Sequence, residues 1–180
     1  MRPMALLLTA VAMAAAAIAT TVSAPGQADG DGAPIYGIKV PSGYRDWRLI
    51  SVNHLAGGDL RQLRVQLGND IAIKAFRDGT LPFPDGAIIA ALHWKEGSSD
   101  ENNSVLAVGF PGAGLQSFVA GPAVNVQFMV KDSKKYAATG SWGYADFTNG
   151  KPGNEALHQT CSPCHEPAKA HDHVFARYAP

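Results

Sequence analysis

The sequence predicts an α+β fold rich in β-structure, an antiparallel sheet carrying a few short helices. Three observations point there. Only 17% of the 180 residues are charged, against 19 glycines and 12 prolines, a balance that favours strands and loops over long solvated helices. Several segments alternate apolar and polar residues with the period of two that a half-buried strand requires. Turn-forming residues punctuate them.

Taken in order, residues 47–52 form the first predicted strand. Residues 69–77 have helical spacing, with Asp70 as the expected cap. Residues 87–94 follow the turn sequence Phe83-Pro84-Asp85-Gly86 and read as a second strand. Asp100 and Glu101 read as an exposed acidic pair in a polar loop. Residues 109–114 lack the Lys-Ser/Thr of a phosphate loop, so they read as a turn-rich connector. The cleanest alternation lies in 124–131: Val124, Val126, Phe128 and Val130 share one face, and Asn125, Gln127 and Met129 the other. A short helix is expected over 132–138, an aromatic-rich strand over 142–147, and a last helix starting near Glu155.

The chain opens with Arg2, an apolar run over 4–19 and small residues over 20–28, which together read as an export signal. Cleavage is expected after Ala24 or Ala28, so residues 1–28 are assigned to signal and leader. The run is short for a membrane span. A Gly-, Asp- and Ala-rich stretch to Pro34 reads as flexible. Apolar residues recur regularly from Ile35, with no internal repeat, so one domain is expected over 35–180. The protein is expected to be soluble and periplasmic. Fifteen basic residues balance fifteen acidic ones without a long run of either sign, which argues against nucleic acid or a membrane surface as partner.

The chain has two cysteines, and both fall in Cys161-Ser162-Pro163-Cys164-His165. Cys-x-x-Cys-His is the attachment sequence for haem c. Two thiols three residues apart can each add to a vinyl group on one edge of a porphyrin, and the next residue, His165, then serves as the axial iron ligand. Two other readings use the same residues. A redox dithiol wants a strand-to-helix setting early in a βαβ unit, whereas this pair follows a β-rich body. A zinc site with Cys161, Cys164, His171 and His173 would need reduced thiols in an oxidising compartment.

No second strong iron ligand stands out. Once the signal is removed, Met129 is the last methionine, and it falls in a predicted strand. His54, His93 and His158 read as surface or edge residues, and His171 and His173 flank Asp172 in what reads as a solvated loop. An open iron site is therefore favoured over a simple electron carrier.

Several short words in fixed order resemble the cytochrome P460 family. They are Pro41-Ser42-Gly43-Tyr44-Arg45-Asp46-Trp47, Phe76-Arg77-Asp78-Gly79-Thr80, Val130-Lys131-Asp132-Ser133-Lys134-Lys135-Tyr136 and Trp142-Gly143-Tyr144. The haem motif and Val174-Phe175-Ala176-Arg177-Tyr178 complete the set. The resemblance implies a β-rich homodimer carrying one pentacoordinate haem c. Its best-known members oxidise hydroxylamine, bind nitric oxide and join a lysine to the porphyrin. A sister group, the β-type cytochromes c′, lacks that bond and binds gases such as nitric oxide in an apolar pocket.

Matched to the family pattern, Ala91 stands where the cross-linking lysine would be. Lys95 shares its strand parity, and Lys74 is a more distant substitute. Gln127 occupies a position that can hold a proton-relaying Glu, and an amide cannot act as a base at neutral pH. Ala156 matches a further distal position, and Arg64 a pocket arginine. Arg177 could pair with a haem propionate or bond near His165. With Ala91, Gln127 and Ala156 together, the pocket is expected to be apolar and short of proton-transfer groups. The first reading is thus an open haem c site binding nitric oxide or a related nitrogen species, with a redox-partner cytochrome as a further expectation. The second is a lysine-cross-linked hydroxylamine oxidase, and the third a six-coordinate electron carrier.

Overall fold

The computed structural model describes residues 32–179; the expected export signal and leader, 1–28, lie outside the described residues. The predicted α+β architecture is present. Six antiparallel strands run in sequence order: β1 (Arg48–Gly57), β2 (Leu60–Gly68), β3 (Ile88–Ser98), β4 (Phe118–Lys131), β5 (Trp142–Thr148) and β6 (Lys151–Pro152). Three helices punctuate them: α1 (Asp70–Asp78), α2 (Asp100–Gly109) and α3 (Glu155–His165).

The strand over 60–68 was not anticipated. Its alternation is present (Leu63, Val65 and Leu67 against Gln62, Arg64 and Gln66), and it pairs with β1 through a hairpin in which Gly58 takes a positive φ. The strand expected from 124 begins six residues earlier, and the acidic pair Asp100–Glu101 opens α2 rather than lying in a loop. Ser99 caps that helix by accepting from the Asn102 N–H at 3.4 Å.

Asn69, not Asp70, caps α1. Its Oδ1 accepts from Ala72 N–H (3.0 Å) and Ile88 N–H (3.1 Å), while its Nδ2 donates to the Gly86 carbonyl (2.8 Å), tying the start of α1 to the start of β3. The helix expected over 132–138 is replaced by a turn. Asp132 Oδ1 accepts from the N–H groups of Lys134 and Lys135, an arrangement that competes with helix, and only a short 3₁₀ turn at Ala137–Thr139 follows. The last helix starts at Glu155 as predicted, capped by Asn154 through the Leu157 N–H at 2.9 Å.

The core is built from Ile50, Ile73, Phe83, Phe128, Trp142 and Phe147, all buried. Phe128 makes edge-on contacts with Tyr44 and Phe147, and Phe83 with Trp142 and Phe76. The tail returns to the sheet, where the Ala179 N–H donates to the Ile50 carbonyl at 2.8 Å. Among the described residues no helix is long and apolar enough to cross a membrane.

Candidate functional site

A cavity of about 550 Å³ lies between α3, the segment that follows it, and one face of the sheet. The helix supplies Cys161, Cys164 and His165. A separation of three residues puts the two sulfurs on the same side of a helix, and both are free thiols. Burial pushes the Cys161 thiol up to about 11, with Asp146 and Cys164 adding to the shift, so it stays protonated at neutral pH.

His165 is held from three sides. Its Nδ1 lies 2.7 Å from the His173 carbonyl. A carbonyl only accepts, so Nδ1 carries the proton and Nε2 keeps the lone pair that a metal requires. The rings of Tyr144 and Phe175 flank the imidazole at 4.9 and 5.0 Å. Burial lowers its pKa, which favours the neutral, ligating form.

The helix itself is fixed by His158, which is fully buried. Its Nδ1 donates to the Asn154 carbonyl at 2.8 Å, and its Nε2 accepts from the Asp146 N–H at 3.1 Å. Both nitrogens are engaged, so His158 anchors α3 to β5 and has no lone pair left for iron.

The facing wall is a register row across five strands. Ser51, Gln66, Ala91, Gln127 and Asp146 are successive cross-strand partners, and Arg64, His93 and Asn125 form the row beside it. Several of these polar side chains are linked to one another by hydrogen bonds, while Arg64 turns to Gln62 and Asn125 Oδ1 is left without a partner. Gln66 Oε1 accepts from Ser51 (2.8 Å) and Asn53 (3.2 Å), and Asp146 Oδ2 accepts from Gln127 Nε2 (2.9 Å) and from Asn125 Nδ2. Burial, with help from the Arg64 charge, lowers the pKa of His93 to about 4, so it is neutral at pH 7.

The structure thus brings Arg64, Ala91, Gln127, Cys161, Cys164 and His165 to one cavity. Ala156 is exposed on α3 and is not among the lining residues. Lys95 is exposed near the end of β3, and Lys74 lies on α1, paired with Asp78. Among the described residues no lysine lines the cavity. His54, His93 and Met129 do line it; His171 and Arg177 line a smaller cavity between α1 and the tail. Arg177 turns its Nη1 to the carbonyls of Val174, Phe175 and Ala176.

The expected shortage of proton-transfer groups does not hold. Asp146 places a buried carboxylate one hydrogen bond behind Gln127, and His93 adds an imidazole. Sequence reasoning passed over Asp146 because it sits inside an aromatic strand. The parity of β5, which puts Tyr144 and Asp146 on one face, was the available signal. The reading of 171–173 as a solvated loop is also overturned, since Asp172 forms a buried ion pair with Lys131.

This arrangement fits a haem. The cavity lies within the usual range for cofactor sites, two unbridged thiols share a wall with an imidazole whose Nε2 is unprotonated, and apolar groups (Ile89, Leu157, Val174, Phe175) surround them. Fold and site together are those of a β-sheet protein with room and donors for a haem. The family model for cytochrome P460 matches residues 41–176, and the chain belongs to that family, which implies a haem cofactor. No curated protein matches the chain.

Proposed function

We propose that the chain is a periplasmic monohaem c cytochrome whose open iron site binds nitric oxide or a related small nitrogen species. The observation that carries this reading is the shared wall of Cys161, Cys164 and an Nε2-unprotonated His165, facing a sheet row with the small residue Ala91 at its centre. Cys161 and Cys164 would hold the porphyrin by adding S and H across its two vinyl groups, which balances without oxidant or reductant. His165 would supply the axial nitrogen. When bound, haem provides an iron that takes up a diatomic ligand or passes single electrons.

The chain's own residues do the rest. The His173 carbonyl and the two flanking rings hold His165 in one tautomer and one orientation. Gln127, fixed by Asp146, presents its amide at the sheet wall as a hydrogen-bond group for a small polar guest. Asp146 holds that amide in place and itself lines the same cavity. The apolar lining excludes bulk water and favours an uncharged ligand. Ala91, with no lysine on the cavity wall among the described residues, argues against a lysine–porphyrin bond and so against the hydroxylamine-oxidising reading.

One observation favours a second reading. His93 is buried, neutral at pH 7 and on the cavity wall, the state in which imidazole ligates iron, so a six-coordinate electron carrier is the runner-up. The absorption spectrum of the purified, dithionite-reduced protein separates the two. A high-spin five-coordinate spectrum with an ordinary c-type Soret band, converted by nitric oxide, is the expected result. A low-spin spectrum in both oxidation states, lost in His93→Ala, would replace the first reading with the second. A displaced Soret band with a lysine on the haem would revive the oxidase.

A further inference from the structure

Behind the proximal histidine lies a buried ion pair that the haem reading does not itself use. Lys131, at the end of β4, and Asp172, in the segment after α3, have side chains only 5% and 10% exposed. Lys131 Nζ donates to Asp172 Oδ1 at 2.7 Å and Oδ2 at 2.8 Å, reaches the Gly140 carbonyl at 3.3 Å and sits 5.0 Å above the Trp142 ring. Asp172 Oδ2 also accepts from the Phe83 N–H at 2.8 Å. The carboxylate is therefore fastened to two separate parts of the body.

The segment it fastens is under backbone strain. Asp172 and His173 both adopt positive φ, 53° and 62°, a conformation uncommon outside glycine even for Asp and His, and two in a row need support from their surroundings. That conformation delivers the His173 carbonyl to His165 Nδ1. Glu166 and Lys169, on the 3₁₀ turn Glu166–His171 that leads into the segment, pair with each other on the exposed surface, and the exposed Glu166 comes only within 3.7 Å of His173 Nδ1, beyond hydrogen-bond distance, so they supply no comparable restraint. Buried ion pairs stabilise a fold only weakly against an apolar alternative, but in some proteins they fix one arrangement.

We infer that Lys131 and Asp172 are positioning residues for the axial ligand: by pinning the strained 172–173 segment they hold the His173 carbonyl on His165 Nδ1, and so set how strongly His165 donates to iron. The inference rests on the haem reading above. A hydrogen bond from Nδ1–H makes the imidazole a stronger donor and favours the oxidised metal. Loosening the segment should therefore raise the reduction potential.

The test uses haem-loaded protein. In Asp172→Asn the midpoint potential should rise by a tenfold change in the redox equilibrium, about 59 mV for one electron, and the ferrous iron–histidine Raman band should move to lower frequency. Lys169→Ala, which breaks only the exposed pair, should leave both at the wild-type values. Because Asp172→Asn strands a buried ammonium, Lys131→Met/Asp172→Asn is measured beside it, and the same two shifts are expected. If either variant melts earlier yet keeps the wild-type potential and Raman band, the pair is structural only and the inference is overturned. Wild-type protein that carries no haem at all would instead sink the haem reading, and the inference with it.

Discussion

Replacing His158 with alanine probes the joint on which the proposed haem-bearing helix depends. The imidazole is fully buried, and it is the acceptor for the Asp146 N–H. Removing it strands that amide, which costs about 1–3 kcal/mol. The Asn154 carbonyl suffers less, because it still accepts from the His158 N–H of the first helical turn at 3.2 Å. The emptied ring volume, on the order of 60 Å³ at about 24 cal/mol per Å³, adds about 1.5 kcal/mol. A total loss of roughly 3–4 kcal/mol follows. Urea unfolding followed by circular dichroism should show the midpoint fall by roughly 1.5–2 M, taking a slope of about 2 kcal/mol per M. His158→Leu refills much of the volume without an acceptor and should recover about 1 kcal/mol. A loss below about 1 kcal/mol in His158→Ala, or wild-type stability in His158→Leu, would refute the anchoring role.

Other consequences can be checked on the same protein. The pKa of His93 falls on folding from 6.5 to about 4, so between those values the unfolded chain binds more protons than the folded one, and stability rises with pH. Above about pH 6.5 that contribution is fully present; it is lost as pH falls to 4, and is worth about 3 kcal/mol. Urea midpoints at pH 7 and pH 4.5 should differ less in His93→Gln than in wild type, and equal differences would contradict the burial argument. At Gly143 an added Cβ would run into the Tyr136 ring, so Gly143→Ala should cost about 1–3 kcal/mol in thermal unfolding, and an unchanged melting temperature would mean that Tyr136 moves freely. Phe128, 1% exposed in the C-terminal half of β4, should cost about 3–5 kcal/mol when truncated to alanine. A loss under 1 kcal/mol would place it outside the core.

Much of this was legible because the physics was local. Residues 124–131 alternate without interruption, and Asn154 with Glu155 announces a helix start. The Cys-x-x-Cys-His spacing carries its own chemistry. β2 was missed although its period is two, because Arg61, Gln62, Arg64 and Gln66 have weak strand propensity, and only pairing with β1 and β3 fixes them. The turn at Asp132 looked helical from composition, but the carboxylate satisfies two backbone N–H groups and ends the matter locally. Asp146 left only the parity of β5 as a signal, and Asp172 left none. Each is buried only because a partner distant in sequence meets it: Asn125 and Gln127 from β4 in one case, Lys131 and the Phe83 amide in the other. The candidate site was therefore visible on its helix side, and on its sheet side only where the family resemblance pointed to Arg64, Ala91 and Gln127, since a register row across five strands leaves no contiguous word in the chain.

The proposed function requires one haem bound covalently through Cys161 and Cys164, with His165 as its axial ligand. Mass spectrometry of a protease digest of protein matured where haem c is attached tests it most directly. The peptide containing residues 161–165 should gain the mass of one haem, neither thiol should remain alkylatable, and no lysine peptide should carry porphyrin. Free thiols on that peptide, with the haem extracted by acidified organic solvent, would contradict it.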